Sequence, residues 1–133
     1  MSSNVNVPDE LRYTKDHEWA KREGNKIRVG ITAFAVDQLG DITLVELPKV
    51  GTTLEAGKAF GTVESVKTLS DLFAPLAGKV VEVNDALTNS PEFVNEGAYD
   101  KGWMIALEPS DPKAFDALLD AAAYRTHLEE SAH

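Results

Sequence analysis

The side chain best placed for chemistry is Lys67, which lies between two strand-like runs, residues 59–66 and 71–74, in the stretch Val63-Glu64-Ser65-Val66-Lys67-Thr68-Leu69-Ser70-Asp71. A lysine at the tip of such a turn holds its amine in solvent, where a modifying enzyme can reach it, while the paired strands fix its position. The chemistry open to it is covalent attachment, with rigidity below and freedom above. A turn lysine without further context is ordinarily only a solvated charge, so its neighbours must decide. Other chemistry is thinly represented. His17, His127 and His133 are scattered, and no short motif pairs any of them with a second strong ligand, so each reads as a solvated or core histidine. There is neither a nucleophile elbow nor a phosphate loop. Trp19 and Trp103 read as core or near-core residues.

Whole-chain totals narrow the classes further. A length of 133 residues with 43% hydrophobic content matches one domain, read as 1–133, with residues 1–10 and 129–133 expected to be flexible. The 22 acids against 13 Lys and Arg give a formal charge of −9, which repels phosphate backbones and anionic lipids, so neither nucleic acid nor membrane is an expected partner. Cysteine is absent, which rules out disulfides, thiolate metal sites and a protein thiol nucleophile. Any sulfur redox chemistry must therefore come from a cofactor. The first ten residues show no secretory or transit pattern, and no run approaches the roughly 20 apolar residues of a membrane span, so the expected compartment is the cytoplasm.

The elements that must position Lys67 are mostly β. Residues 18–21 and 26–31 form a hairpin about Glu23-Gly24-Asn25. Thr32 then caps a short helix ending at Leu39, with Gly40 as its stop. Strands follow at 41–47, 59–66, 71–74 and 79–83. Residues 84–100 form a surface loop with one short turn around 90–94, and 103–108 is the last strand. Ser110 or Asp111 caps Pro112, and Phe115, Leu118, Leu119 and Ala122 recur at the spacing of one long C-terminal helix. Gly61 is expected to permit close packing and Gly78 a turn. A weak repeat relates the run from Val50-Gly51-Thr52-Thr53-Leu54 to Thr62-Val63-Glu64 with the run from Val83-Asn84-Asp85-Ala86-Leu87 to Ala106-Leu107-Glu108, the second copy being lengthened by the loop.

The surroundings of Lys67 resemble the lipoyl and biotinyl carriers. Glu64 stands three residues before the lysine, and Ala74-Pro75-Leu76-Ala77-Gly78-Lys79-Val80 matches that family's Ala-Pro-x-x-Gly-x-Val. Biotin carriers flank the lysine with Met, whereas Val66 and Thr68 stand here, in favour of lipoate. Further blocks are similar, in order, to the glycine cleavage H-protein family: Tyr13-Thr14-Lys15-Asp16-His17-Glu18-Trp19, Val29-Gly30-Ile31-Thr32, Leu39-Gly40-Asp41-Ile42, Val45-Glu46-Leu47-Pro48, Val81-Glu82-Val83-Asn84 and Gly102-Trp103-Met104. The resemblance covers roughly residues 11–125. Ala98-Tyr99 departs from the family's Pro-Tyr, and Thr68-Leu69 from its small residues, which puts more bulk beside the attachment point.

The resemblance implies a mainly β fold with minor α: a lipoyl/biotinyl-like flattened barrel or sandwich of antiparallel strands with an N-terminal hairpin, short helices and a C-terminal helix. It implies a non-catalytic carrier with lipoate covalently attached at Lys67. Such a carrier shuttles the aminomethyl group of glycine from a glycine decarboxylase to an aminomethyltransferase, and electrons to dihydrolipoyl dehydrogenase. Lipoate-attaching enzymes are further implied partners, with Glu64 helping their recognition or serving only as a cross-strand residue. Glu18 and Asp71 are implied to dock the cationic amine of the arm, the alternative for both being ordinary solvated carboxylates. Three other readings share parts of this pattern: an enzyme with an unfamiliar site, a lipoyl domain of a 2-oxoacid dehydrogenase, and an H-like protein that relays lipoate.

Overall fold

The computed structural model describes residues 7–131. Two antiparallel sheets face each other across one apolar layer. The larger has the order β1-β2-β3-β9-β8-β5 and the smaller β4-β6-β7. In the larger sheet, β1 (Arg12–Tyr13), β2 (Glu18–Glu23) and β3 (Lys26–Ile31) form a meander, with β5 (Thr53–Leu54), β8 (Gly78–Val83) and β9 (Ile105–Pro109) beyond it. The smaller sheet is β4 (Ile42–Glu46), β6 (Ala59–Ser65) and β7 (Leu69–Phe73). Val29, Val80 and Leu107 from one sheet and Val45, Val63 and Leu72 from the other share the main core.

The alternation of a half-buried strand slips in phase at three places, each with a register shift. Phe60 and Val63 are both buried because the β6–β7 register shifts between Ala59 and Gly61. Likewise Ile42 and Val45 are both buried across the shift between Ile42 and Leu44. A bulge inserts one residue and so returns the next apolar side chain to the core. Gly61 and Gly78 both serve close approach: a Cβ on Gly61 would overlap the Glu46 carbonyl and one on Gly78 the Glu108 carbonyl. For Gly78 this corrects the expected turn role, since the residue opens β8 rather than closing a turn.

Helix α1 (Ala33–Leu39) begins and ends where its punctuation places it. The Thr32 hydroxyl accepts the Ala35 N–H at 3.2 Å, and Gly40, at φ 82°, donates its N–H to Val36. The expected loop of 84–100 instead contains two single-turn helices, α2 (Ala86–Asn89) and α3 (Phe93–Glu96). The repeat is thus preserved only in part, because Thr53–Leu54 is strand where its counterpart Ala86-Leu87 is helix.

The expected long C-terminal helix is broken. Asp111 caps Pro112 as anticipated, with its carboxylate accepting the Lys113 N–H at 3.0 Å, but a 3₁₀ helix runs only over Pro112–Ala117. Leu118 is extended, and Leu119 exchanges two backbone hydrogen bonds with Tyr13, at 2.8 and 2.9 Å. Asp120 then caps α4 (Ala121–Ser131), accepting the Ala123 N–H at 2.8 Å. The bridge satisfies the otherwise open edge of β1, a gain that helical periodicity does not register. A second apolar cluster, built from Val7, Leu11, Tyr13, Trp19, Ala121, Tyr124 and Leu128, seals α4 against the meander. Of the ends expected to be flexible, residues 1–6 and 132–133 lie outside the described residues.

Candidate functional site: a hairpin-tip lysine beside an acidic groove

Lys67 is exposed on the turn between β6 and β7. Ser65 builds that turn: its N–H bonds the Thr68 carbonyl at 2.8 Å, and its hydroxyl oxygen accepts the N–H groups of Lys67 and Thr68, each at 3.2 Å. Val66 donates to the Asp41 carbonyl at 3.1 Å, tying the tip to the segment after α1. The lysine stem passes over Gly40, where an added Cβ would lie 3.1 Å from Cε. Asn95 clamps this floor by donating to the Gly40 carbonyl at 2.9 Å and accepting the Ile42 N–H at 2.8 Å. The lysine thus rests on a fixed surface and ends in solvent. Asn95 was invisible as a site residue in the sequence, because its partners lie more than 50 positions away.

Beside Gly40, α1 and β7 enclose a groove of about 260 Å³ whose wall includes Glu18, Asp71, His17, Phe34 and Leu39. That volume is below the ~300–1,000 Å³ usual for a whole small ligand, so the groove fits a small terminal group rather than an entire molecule. Glu18 and Asp71, far apart in the chain, therefore share one site. They differ in environment. Asp71 is exposed on β7, opposite Thr62, whereas Glu18 is only 2% accessible, so for Glu18 the solvated alternative is excluded. Glu64 is separate from the groove, exposed on β6 between Leu44 and Leu69 of the adjoining strands. Leu44, Val66 and Leu69 are 41, 69 and 60% accessible and give Glu64 and Lys67 an apolar rim.

Burial pushes the Glu18 carboxyl up to about 8, against the opposing pull of the Thr14 hydroxyl at 2.7 Å and the Phe73 N–H at 3.4 Å. A folded-state value above the unfolded one means that the native protein holds the extra proton. Stability therefore falls by up to ~1.4 kcal/mol per pH unit as pH rises from the ordinary carboxyl range to about 8, and this contribution is flat above. Glu18→Gln is expected to remove the slope. Urea unfolding should find the variant close to wild type near pH 4.5 and more stable by up to about 5 kcal/mol at pH 8.5. An unchanged difference between the two pH values would refute the buried, protonated acid.

His17 adopts φ 70° at the turn preceding β2, an uncommon conformation for a non-glycine residue. Its Nδ1 lies 2.8 Å from the Tyr124 hydroxyl, which is also 2.8 Å from the Thr32 hydroxyl that caps α1. His127 lies nearby with its ring tilted by 34° and 5.7 Å between ring centroids, and burial, reinforced by His127, lowers the His17 pKa. The pair that looked scattered is thus assembled by α4, while His133 lies outside the described residues. Among the described residues no three His, Cys, Asp or Glu side chains are placed to hold a metal, and no helix is long and apolar enough to cross a membrane.

A model of the family described as glycine cleavage H-protein matches residues 11–131. The chain belongs to the glycine cleavage H-protein family. It is 57% identical over 126 residues to a glycine cleavage system H protein of Anaeromyxobacter sp. (strain K), covering 95% of this chain and 98% of the relative. Identity to the glycine cleavage system H protein of Halalkalibacterium halodurans is 54% over 125 residues, covering 94% and 98% respectively. The fold agrees too. A crystal structure of a glycine cleavage system H protein from Mycobacterium marinum superposes with a TM-score of 0.83 at 39% identity, covering 96% of this chain and all of the other. The expected two-sheet architecture with short helices and a C-terminal helix is that of the family, and membership supports a carrier role in the glycine cleavage system.

Proposed function

We propose that the chain is the lipoyl-bearing carrier of glycine cleavage, with lipoate in amide linkage to Lys67 Nζ and no catalytic step of its own. It moves the aminomethyl group of glycine from glycine decarboxylase to aminomethyltransferase, and electrons to dihydrolipoyl dehydrogenase. The observation that carries this reading is an exposed lysine, held on a braced hairpin tip, beside a groove that contains a buried carboxyl group. When bound, the lipoyl group supplies a disulfide that opens to take the aminomethyl group on one sulfur and closes again on oxidation.

The chain's own residues tether, shelter and present. A lysine plus octanoyl arm reaches about 14 Å. Asp71 follows Lys67 by four positions, so at ~3.4 Å per residue it lies no more than about 14 Å away along the backbone. The arm can therefore fold back into the groove, where Asp71 offers negative charge to its amine, Glu18 offers a carboxyl that ionises as the ammonium approaches, and the apolar walls exclude water. Extended, it presents its cargo to each partner at a high effective concentration. Glu64, set among Leu44, Val66 and Leu69, offers lipoate-attaching enzymes a charged residue inside an apolar rim.

Two measurements test this function. The lipoylated protein mixed with glycine decarboxylase is expected to support exchange of bicarbonate into glycine, whereas a protein that only relays lipoate fails. Replacing Glu18 or Asp71 with Ala is expected to shorten the lifetime of the loaded carrier severalfold. An unchanged lifetime in both variants removes the sheltering role while leaving the attachment assignment standing.

A further inference from the structure

The hydroxyl proton of Thr14 has one destination. Its oxygen accepts the backbone N–H groups of Asp16 and Glu18, each at 3.2 Å, which occupies both lone pairs. The hydrogen is left for Glu18 Oε1, at 2.7 Å. The main chain locks the arrangement, since the Thr14 N–H bonds the Glu18 carbonyl at 3.0 Å and the Thr14 carbonyl accepts the His17 N–H at 3.1 Å. Among the described residues, the second oxygen of Glu18 has only the long Phe73 contact, at 3.4 Å, and Glu18 lines the groove. We propose that Thr14 is a positioning residue: its hydroxyl pins Oε1 of Glu18 and leaves Oε2 to receive the cationic amine of the arm.

This inference rests on the reading that Glu18 holds that amine. A hydrogen bond donated to the ionised carboxylate favours that form, and so does the approach of an ammonium, whereas burial opposes it. Without the hydroxyl, burial is opposed by the weak Phe73 contact and the backbone N–H of Glu18 alone, and the carboxyl keeps its proton to higher pH. The other charged or titratable groups facing Glu18 are Lys15, Asp16 and His17 from its own turn, Tyr13 from β1, Asp71 from β7 and Tyr124 from α4. From α1 the groove receives Phe34, Ala35, Gln38 and Leu39, none of which titrates. Asp71, Tyr124 and the α1 residues lie on other elements and have no bond to the Thr14 hydroxyl, and the turn keeps its main-chain bonds to Thr14 in every variant.

The test compares full-length wild type, Thr14→Val and Thr14→Ser, with Thr14→Ala replacing the valine variant if that does not fold. The Glu18 carboxyl is titrated by carbon NMR in the unloaded proteins, and the lifetime of the loaded, lipoylated proteins is measured from pH 6.5 to 9. In Thr14→Val the titration is expected to move up by about one pH unit, with the lifetime near pH 7.5 shortened roughly five- to tenfold. Thr14→Ser should restore both. An unmoved titration overturns the proposal whatever the lifetimes do. A moved titration with an unchanged lifetime also overturns it, and Glu18→Gln then locates the fault. If that variant shortens the lifetime, Thr14 alone is misassigned; if it does not, the amine-holding role of Glu18 fails as well.

Discussion

Lys67→Arg is expected to yield a folded chain that never acquires a lipoyl group. Amide formation needs a neutral amine with a free lone pair. Lysine supplies one in the grip of an attaching enzyme, whereas a guanidinium stays protonated at every accessible pH. The substitution keeps the positive charge and most of the stem that lies over Gly40, so its effect isolates nucleophilicity from electrostatics. The turn itself survives, because its bonds come from Ser65 and the backbone rather than from the lysine side chain. Stability should accordingly stay within about 0.5 kcal/mol of wild type. Intact mass spectrometry on protein from a lipoate-competent host should show the lipoyl increment on wild type and none on Lys67→Arg. Bicarbonate exchange by glycine decarboxylase should fall to its carrier-free background. An increment retained by the variant would place the attachment elsewhere.

Trp19→Ala is expected to be the most damaging single truncation for stability, at about 3–5 kcal/mol, or a fall in Tm of roughly 10–20 °C. Trp19 is fully buried at the junction of β2 with the second apolar cluster. Its indole covers Gly30 so closely that a Cβ there would lie 2.8 Å from the ring, so the two residues are sized for each other. The indole N–H also donates to the Ala98 carbonyl at 2.8 Å, in the loop leading to Tyr99. Truncation therefore opens a large cavity and leaves a carbonyl without its donor. Trp19→Phe separates the two costs, since it fills much of the space but offers no donor, and should lose about 1–3 kcal/mol. Equal urea midpoints for wild type and Trp19→Ala would show that the meander does not depend on this packing.

Much of the frame was readable from local chemistry. The hairpin about Gly24, the Thr32 cap, the Gly40 stop and the strands on either side of Lys67 each depend on residues within a few positions of one another. They form much as read. The break after Ala117 was not readable. Leu118 and Leu119 satisfy a helical pattern, and what removes them from the helix is the backbone of Tyr13, more than a hundred residues earlier. The bulge before Leu44 likewise changes which side chains face the core without any local signal, whereas the one beside Gly61 is marked by a glycine inside a strand.

The site divides in the same way. Residue order alone set Lys67 on a tight turn with an acid three residues before it, and the ordered blocks around it already pointed to the H-protein family. Folding was needed to bring Glu18 and Asp71 to one groove, to bury Glu18 while leaving Asp71 exposed, and to carry His17 to Tyr124 and His127. A turn or cap is set by bonds between near neighbours. Desolvation depends instead on which distant strands and helices close over a side chain, and it is desolvation that sets the charge state of Glu18.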